Sequence, residues 1–317
     1  MSDLKKNIKE NKWICWVALA CLVVPMFASY FFDDMFSSLS ELFKNPEQLQ
    51  LGWDMADYGF YSSGYSFLCI WGGLIVCGAL LDRFGVRLVG SIFVGMMVFG
   101  AGLVTFAISA GFEPEASLTV AYVGCMLFGL GSEIAGVSVT RSIAKWFKGR
   151  NMALAMGLQL AIARFGTATA ILIAPMIVTQ KAAGEIYMLS DTNRPAMIGL
   201  AVLGIGAILW AVFVGLDARF DRQTGETDKV ETAEEDKFRI SDIWKVLSNP
   251  RFLMIAVLCV TFYCTVIRFK KFGVSILLPL FGVDLDIATV LLAMIPFFTI
   301  LFTPLFGALV DKVGKAT

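Results

Sequence analysis

Long apolar runs separated by short polar turns set the pattern of this chain. The runs predict membrane-crossing helices at about 13–36, 56–81, 87–109, 117–140, 152–178, 195–216, from Arg251 onward, and at about 287–310. The first run, Trp13 to Phe32, is longer than a signal-peptide core and is followed by more spans, so it reads as a retained helix. Span four is rich in small residues that allow close helix packing. Between 217 and 250 the pattern breaks into charged and polar sequence, including the acidic run ETAEED.

One charged turn occurs twice. GALLDRFGVR, Gly78 to Arg87, follows span two, and GALVDKVGK, Gly307 to Lys315, follows span eight, 229 residues later. Six spans separate the copies, which makes the repeat unit a six-helix bundle. The expected organisation is a six-helix bundle over 1–216, a cytoplasmic linker over 217–250, and the first two helices of a second bundle over 251–317. The second copy of the turn stands at the chain's end, where the first copy is followed by four further spans. That asymmetry carries the expectation that the sequence is a fragment of a twelve-helix protein and does not transport alone. In the first turn Gly78 is expected to permit close helix approach, Asp82 to accept charge-assisted bonds, Gly85 to make the tight turn, and Arg83 and Arg87 to anchor at headgroups. Gly307, Asp311, Lys312 and Gly314 are their counterparts.

Composition agrees with the spans. The chain is 57% hydrophobic and 16% charged, with a mean hydropathy of +0.74. That is too apolar for a soluble globule and describes an all-α polytopic protein embedded in a lipid bilayer. Basic and acidic residues balance at 26 each and form no basic stripe, which sets nucleic acid aside. The seven cysteines all lie within apolar runs, without a CxxC pair or any histidine, so they read as packing residues and neither metal nor cofactor is expected. An intramembrane enzyme is disfavoured by the lack of histidine, paired carboxylates on one helix or a nucleophile motif. The tail, the first charged turn and the 141–150 turn hold ten basic residues against three in the opposite loops, which predicts a cytoplasmic N-terminus.

A few charges remain at bilayer depth: Glu133, Arg164, Arg268, Lys270 and Lys271, with Asp33 and Asp34 at the outer end of span one. An ionised group there costs roughly 2.5–3.5 kcal/mol on insertion scales, so each needs a partner or a watery cavity. Counting along their helices puts Glu133 and Arg164 at a similar depth, roughly 12–18 Å from the cytoplasmic ends. Facing one cavity, they suit the amino and carboxylate ends of a zwitterion; facing each other, they form a structural ion pair. Arg268, Lys270 and Lys271 either snorkel outward or, if span seven breaks at Gly273, face the cavity. For Asp33 and Asp34 an exposed helix end is slightly favoured. Tyr30, Tyr58, Tyr61 and Tyr65 read mainly as belt or packing residues, some of them lining a cavity.

GALLDRFGVR closely resembles the loop signature of the major facilitator superfamily. MFASYFFDD, GLGSE, KWFKGRNMALAMGLQLAIARFG and FGALVDKVGK resemble the lysosomal dipeptide transporter branch of that superfamily and its bacterial relatives. The resemblance implies alternating access, dipeptides or similar zwitterions as substrates, Glu133 and Arg164 at the substrate's termini, and a matching acidic position at Asp34. Arg268, Lys270 and Lys271 depart from the pattern, standing where mostly apolar residues and a single lysine slightly further on are expected. The tail lacks an acidic dileucine signal, which points to a bacterial inner membrane rather than a lysosome. Proton coupling, without histidine, falls to Glu133 or the Asp33 and Asp34 pair. The competing readings are an organic-anion or sugar-phosphate carrier, which would use the span-seven cations, and a solute sensor that binds without transporting.

Overall fold

A computed structural model describes residues 12–148, 151–178, 185–224 and 248–313. Among the described residues there are helices and turns, with a single isolated bridge, Leu49 to Tyr187. The helices are α1 (Lys12–Asp34), α2 (Met55–Leu68), α3 (Leu74–Phe84), α4 (Val86–Ser109), α5 (Pro114–Trp146), α6 (Met152–Ile177), α7 (Leu189–Thr224), α8 (Pro250–Phe281) and α9 (Leu285–Val313). With α2 and α3 counted as one span, eight segments are long and apolar enough to cross a bilayer.

Local chemistry sets the ends. The Asp54 carboxylate accepts from the Asp57 N–H at 2.8 Å, while the Asp54 N–H donates to the Asp57 carboxylate at 3.0 Å, a reciprocal cap that starts α2. Between α3 and α4 the chain turns through Gly85 at φ 82°, ψ 166°, a conformation closed to residues with a Cβ, so this position of the repeated turn requires glycine. Pro114 and Pro250 open α5 and α8 at positions where a missing N–H costs nothing. The Asn249 side chain caps α8 at Arg251 N, 3.1 Å away.

The turns collect at two ends. The end carrying the start of α1 and the α3–α4 turn, here the tail side, is tied by ion pairs from Asp82, Arg87, Arg141 and Lys145. The far side holds a 3₁₀ helix, Ser37–Lys44, and is tied by backbone bonds such as Gln50 N to Tyr187 O at 2.9 Å. Helices α1 to α7 share one hydrophobic core. A second, small core forms where α8 and α9 meet α6, around Ile171, Val274, Ala288, Leu292 and Ala293. Only the far half of α8 is packed. Residues 251–265 are almost all exposed, so the tail-side half of this helix stands away from the bundle.

Three expectations change here. Span six continues as α7 to Thr224, past the 216 boundary, and takes Asp217 and Asp221 out of the linker; 225–247 lie outside the described residues. Span seven is not broken at Gly273, for α8 runs unbroken through it to Phe281. The break falls in span two instead, where Cys69–Gly73 forms a π-helical turn and Gly72 takes φ 90°. Such interruptions free backbone groups and often sit beside functional sites.

Candidate functional site

Polar side chains from α1, α2, α5 and α6 meet at mid-depth. Tyr65, one turn before the π-helical break, donates its hydroxyl to Glu133 Oε1 at 2.9 Å and lies 3.2 Å from Ser132 Oγ. Ser132 in turn is hydrogen-bonded to Ser29 on α1. This closeness depends on Gly129, since a Cβ there would run into the Tyr65 backbone. Arg164 on α6 lies over the Tyr30 ring, its Cζ 5.7 Å from the centroid, close to the Arg–aromatic range. Glu133 and Arg164 do not form an ion pair with each other. The two are joined through α1, where Ser29 bonds Ser132, the neighbour of Glu133, and the next residue, Tyr30, lies under Arg164.

One turn further along α1, at i+3 and i+4 from Tyr30, are Asp33 and Asp34, on the same face. The exposed helix end favoured for these two residues does not hold for Asp34, which is completely buried. It is held by Lys270 Nζ at 2.8 Å, Lys271 Nζ at 3.3 Å and the Thr167 hydroxyl at 2.7 Å. Lys271 also pairs with Asp33 at 3.0 Å and reaches the Asp33 carbonyl. Neither lysine snorkels. At 100° per residue a continuous helix turns Lys270 and Lys271 inward and leaves Arg268 exposed, so no break at Gly273 was needed. Gly273 has a different use, since a Cβ there would clash with Leu292 of α9. On α6, Arg164 and Thr167 lie three residues apart and link the mid-depth layer to this four-charge cluster.

The repeated turn lies on the tail side. Asp82 pairs with Arg141, while Arg83 is exposed, its guanidinium over the Phe84 ring. Arg87 does more than anchor at headgroups. It pairs with Asp221 at 2.9 Å and approaches Asp217 at 3.6 Å, and Lys145 joins both aspartates at 3.0 and 2.6 Å. The Trp146 indole N–H donates to Asp217 at 2.8 Å. Gly78 does not permit a close approach here, since a Cβ on it would meet nothing within 4 Å. Gly307, Asp311 and Lys312 fall in the last turns of α9, where only the backbone is described, and Gly314 lies outside the described residues.

These spans and turns fit the Major Facilitator Superfamily, whose family description matches residues 19–317. The chain belongs to that superfamily. It is 29% identical over 308 residues to the lysosomal dipeptide transporter MFSD1 of Homo sapiens, covering 91% of this chain and 59% of that protein. The Danio rerio protein of the same name is also 29% identical, with 91% and 60% covered. The chain thus spans about three fifths of the length of these curated relatives. Among solved structures, a D-xylose-proton symporter of the superfamily's fold superposes with a TM-score of 0.57 at 16% identity, covering 94% of this chain and 69% of that one. At that identity the likeness is one of fold.

Tyr65, Thr167, Asp217 and Asp221 were not singled out as site residues by sequence. Tyr65 stood among the tyrosines read mainly as belt or packing residues, some of them lining a cavity, while Thr167, uncharged in an apolar run, gave no signal. Asp217 and Asp221 did give one: they stand four apart, on one helix face.

Proposed function

We propose that this protein is a secondary transporter that moves small zwitterionic solutes of the dipeptide kind across a membrane by alternating access. The observation that carries the reading is that Glu133, held by Tyr65, and Arg164, lying over Tyr30, are opposite in charge and do not pair with each other. A buried structural pair would have closed that gap, because the Coulomb gain grows as solvent is lost. Left apart, the two charges suit an ammonium on Glu133 and a carboxylate on the planar fork of Arg164. The likeness to lysosomal dipeptide transporters supports the same substrate class.

The anion-carrier reading loses its motive. It requires Lys270 and Lys271 to be free for a multiply charged substrate, whereas both are engaged with Asp33 and Asp34. We assign those four charges to a gate on the far side. The excess of basic residues at the tail side makes that side cytoplasmic, so the far side is the outer one. A joined outer side and a detached tail-side half of α8 describe a carrier facing the cytoplasm. We retain the bacterial inner membrane as the location, and 1–216, 217–250 and 251–317 as the functional divisions, with helix α7 reaching into the second. Glu133, which accepts from the Tyr65 hydroxyl, is our choice of proton carrier.

The test is equilibrium binding of a simple dipeptide. Glu133→Gln and Arg164→Lys should each weaken it at least tenfold, about 1.4 kcal/mol, in protein that remains folded. Blocking the peptide's amino group should remove the effect of Glu133→Gln and leave that of Arg164→Lys. Near-wild-type affinity in both variants would rule the site out.

A further inference from the structure

Helix α8 carries Pro279 inside its outer half. Proline has no N–H, so the carbonyl four residues earlier, that of Ser275, loses its usual helical donor. In a span near the membrane surface such a carbonyl needs a replacement. The replacement comes from the other half of the molecule. Lys44, the last residue of the 3₁₀ helix Ser37–Lys44, donates its ammonium to the Ser275 carbonyl at 3.0 Å.

The 3₁₀ helix is well placed to present that lysine. Its inner face, with Leu39 and Phe43, is buried, and Phe43 stacks on Tyr58 with centroids 4.8 Å apart and planes 6° from parallel. Tyr58 meets Phe272 of α8 edge-on at 5.4 Å. The first outer loop is therefore a firm platform resting on the same two turns of α8 that carry Lys270 and Lys271. Lys44 also pairs with Glu41 at 2.8 Å within the platform, which leaves the carbonyl contact as the part that crosses to the second half.

We propose that Lys44 and the carbonyl released by Pro279 form a latch that biases the protein toward its outward-closed state. The platform holds the lysine and the proline supplies the keeper. Opening the outer side carries α8 away from α1, and the latch must part before the charges beneath it separate. This follows from the alternating-access reading and is independent of which solute is carried.

Spin labels at the exposed outer positions Glu47 and Asp284, one in each half, with the natural cysteines replaced by alanine, would report the outer opening by electron–electron distance measurement in lipid nanodiscs. Lys44→Met should raise the ratio of long-distance to short-distance population about fivefold, in line with loss of one charge-assisted hydrogen bond that is partly exposed. Glu41→Gln, which removes only the pair within the platform, should leave that ratio unchanged. Pro279→Ala returns an N–H to the Ser275 carbonyl, and in that background Lys44→Met should add less than about twofold. An unchanged distribution in Lys44→Met, the same shift from Glu41→Gln, or a full fivefold effect of Lys44→Met retained beside Pro279→Ala would each overturn the latch. Because no solute is present, failure of the zwitterion site would leave these outcomes as they stand.

Discussion

A carboxylate with no exposed surface survives in a bilayer only if cations and donors replace its water. Asp34 has two lysines and a threonine for this, and it lies at the junction of the first six spans with α8. The lysines are in the same position: remove the aspartates and two ammonium groups are left in a nearly closed space. Lys270→Met should therefore destabilise the protein by about 2 kcal/mol, short of the 3–5 kcal/mol for a fully orphaned buried charge because Lys271 remains. Adding Asp34→Asn should recover at least half of that loss, since the uncompensated charge disappears with its partner. Thermal unfolding of the single and double variants in detergent checks this, and simple additivity would contradict it.

Helices meet here through what they lack. α2 and α5 approach until the Tyr65 backbone fills the place of a side chain at Gly129, and that contact sets Tyr65 against Glu133. Gly129→Ala should push the two helices apart, costing about 1–3 kcal/mol as an overpacked core does, and should weaken dipeptide binding about tenfold although no polar group is changed. Gly95→Ala is the control, because a Cβ there meets nothing within 4 Å. Melting curves and binding isotherms on the two variants decide it; equal behaviour would show that the α2–α5 contact is slack. The π-helical break at Cys69–Gly73 belongs to the same element, and it ends the α2 segment just beyond Tyr65.

Across the whole molecule the charges divide by depth. The tail-side cluster of Asp82, Arg141, Arg87, Lys145, Asp217 and Asp221 lies within the first six spans, the Asp33, Asp34, Lys270 and Lys271 cluster joins those spans to α8, and Glu133 and Arg164 stand between. Asp82 is thus far from any solute held at Arg164. Asp82→Asn should slow transport while equilibrium affinity stays within about threefold, less than 1 kcal/mol. Arg141→Gln should do the same, and the double variant should be no slower than either single one. Transport rates in proteoliposomes beside binding constants test this, and a large loss of affinity at unchanged turnover would refute it.

Span number, the repeated turn and most of the charges at bilayer depth were legible in the chain because the bilayer imposes them residue by residue, although Arg268 is exposed and Asp34, for which an exposed end was favoured, is buried. Twenty apolar residues or a lone carboxylate mean the same thing wherever the helix is placed. Gly85 was legible for a similar reason, since a turn's positive φ is local, whereas Asp82 finds its partner in Arg141 on α5. Pairing was not local. Whether Glu133 faced Arg164 or Tyr65, and whether Lys270 turned to lipid or to Asp34, depended on how helices far apart in sequence were rotated against one another. Hydropathy does not report rotation, because lipid and protein interior are equally apolar. The sequence determined which charges had to be satisfied and at what depth. The packing of α1, α6 and α8 decided that Lys270 and Lys271 would satisfy Asp33 and Asp34, leaving Glu133 and Arg164 apart, since close approach of two helices at small residues fixes their rotation and hence every partner along them.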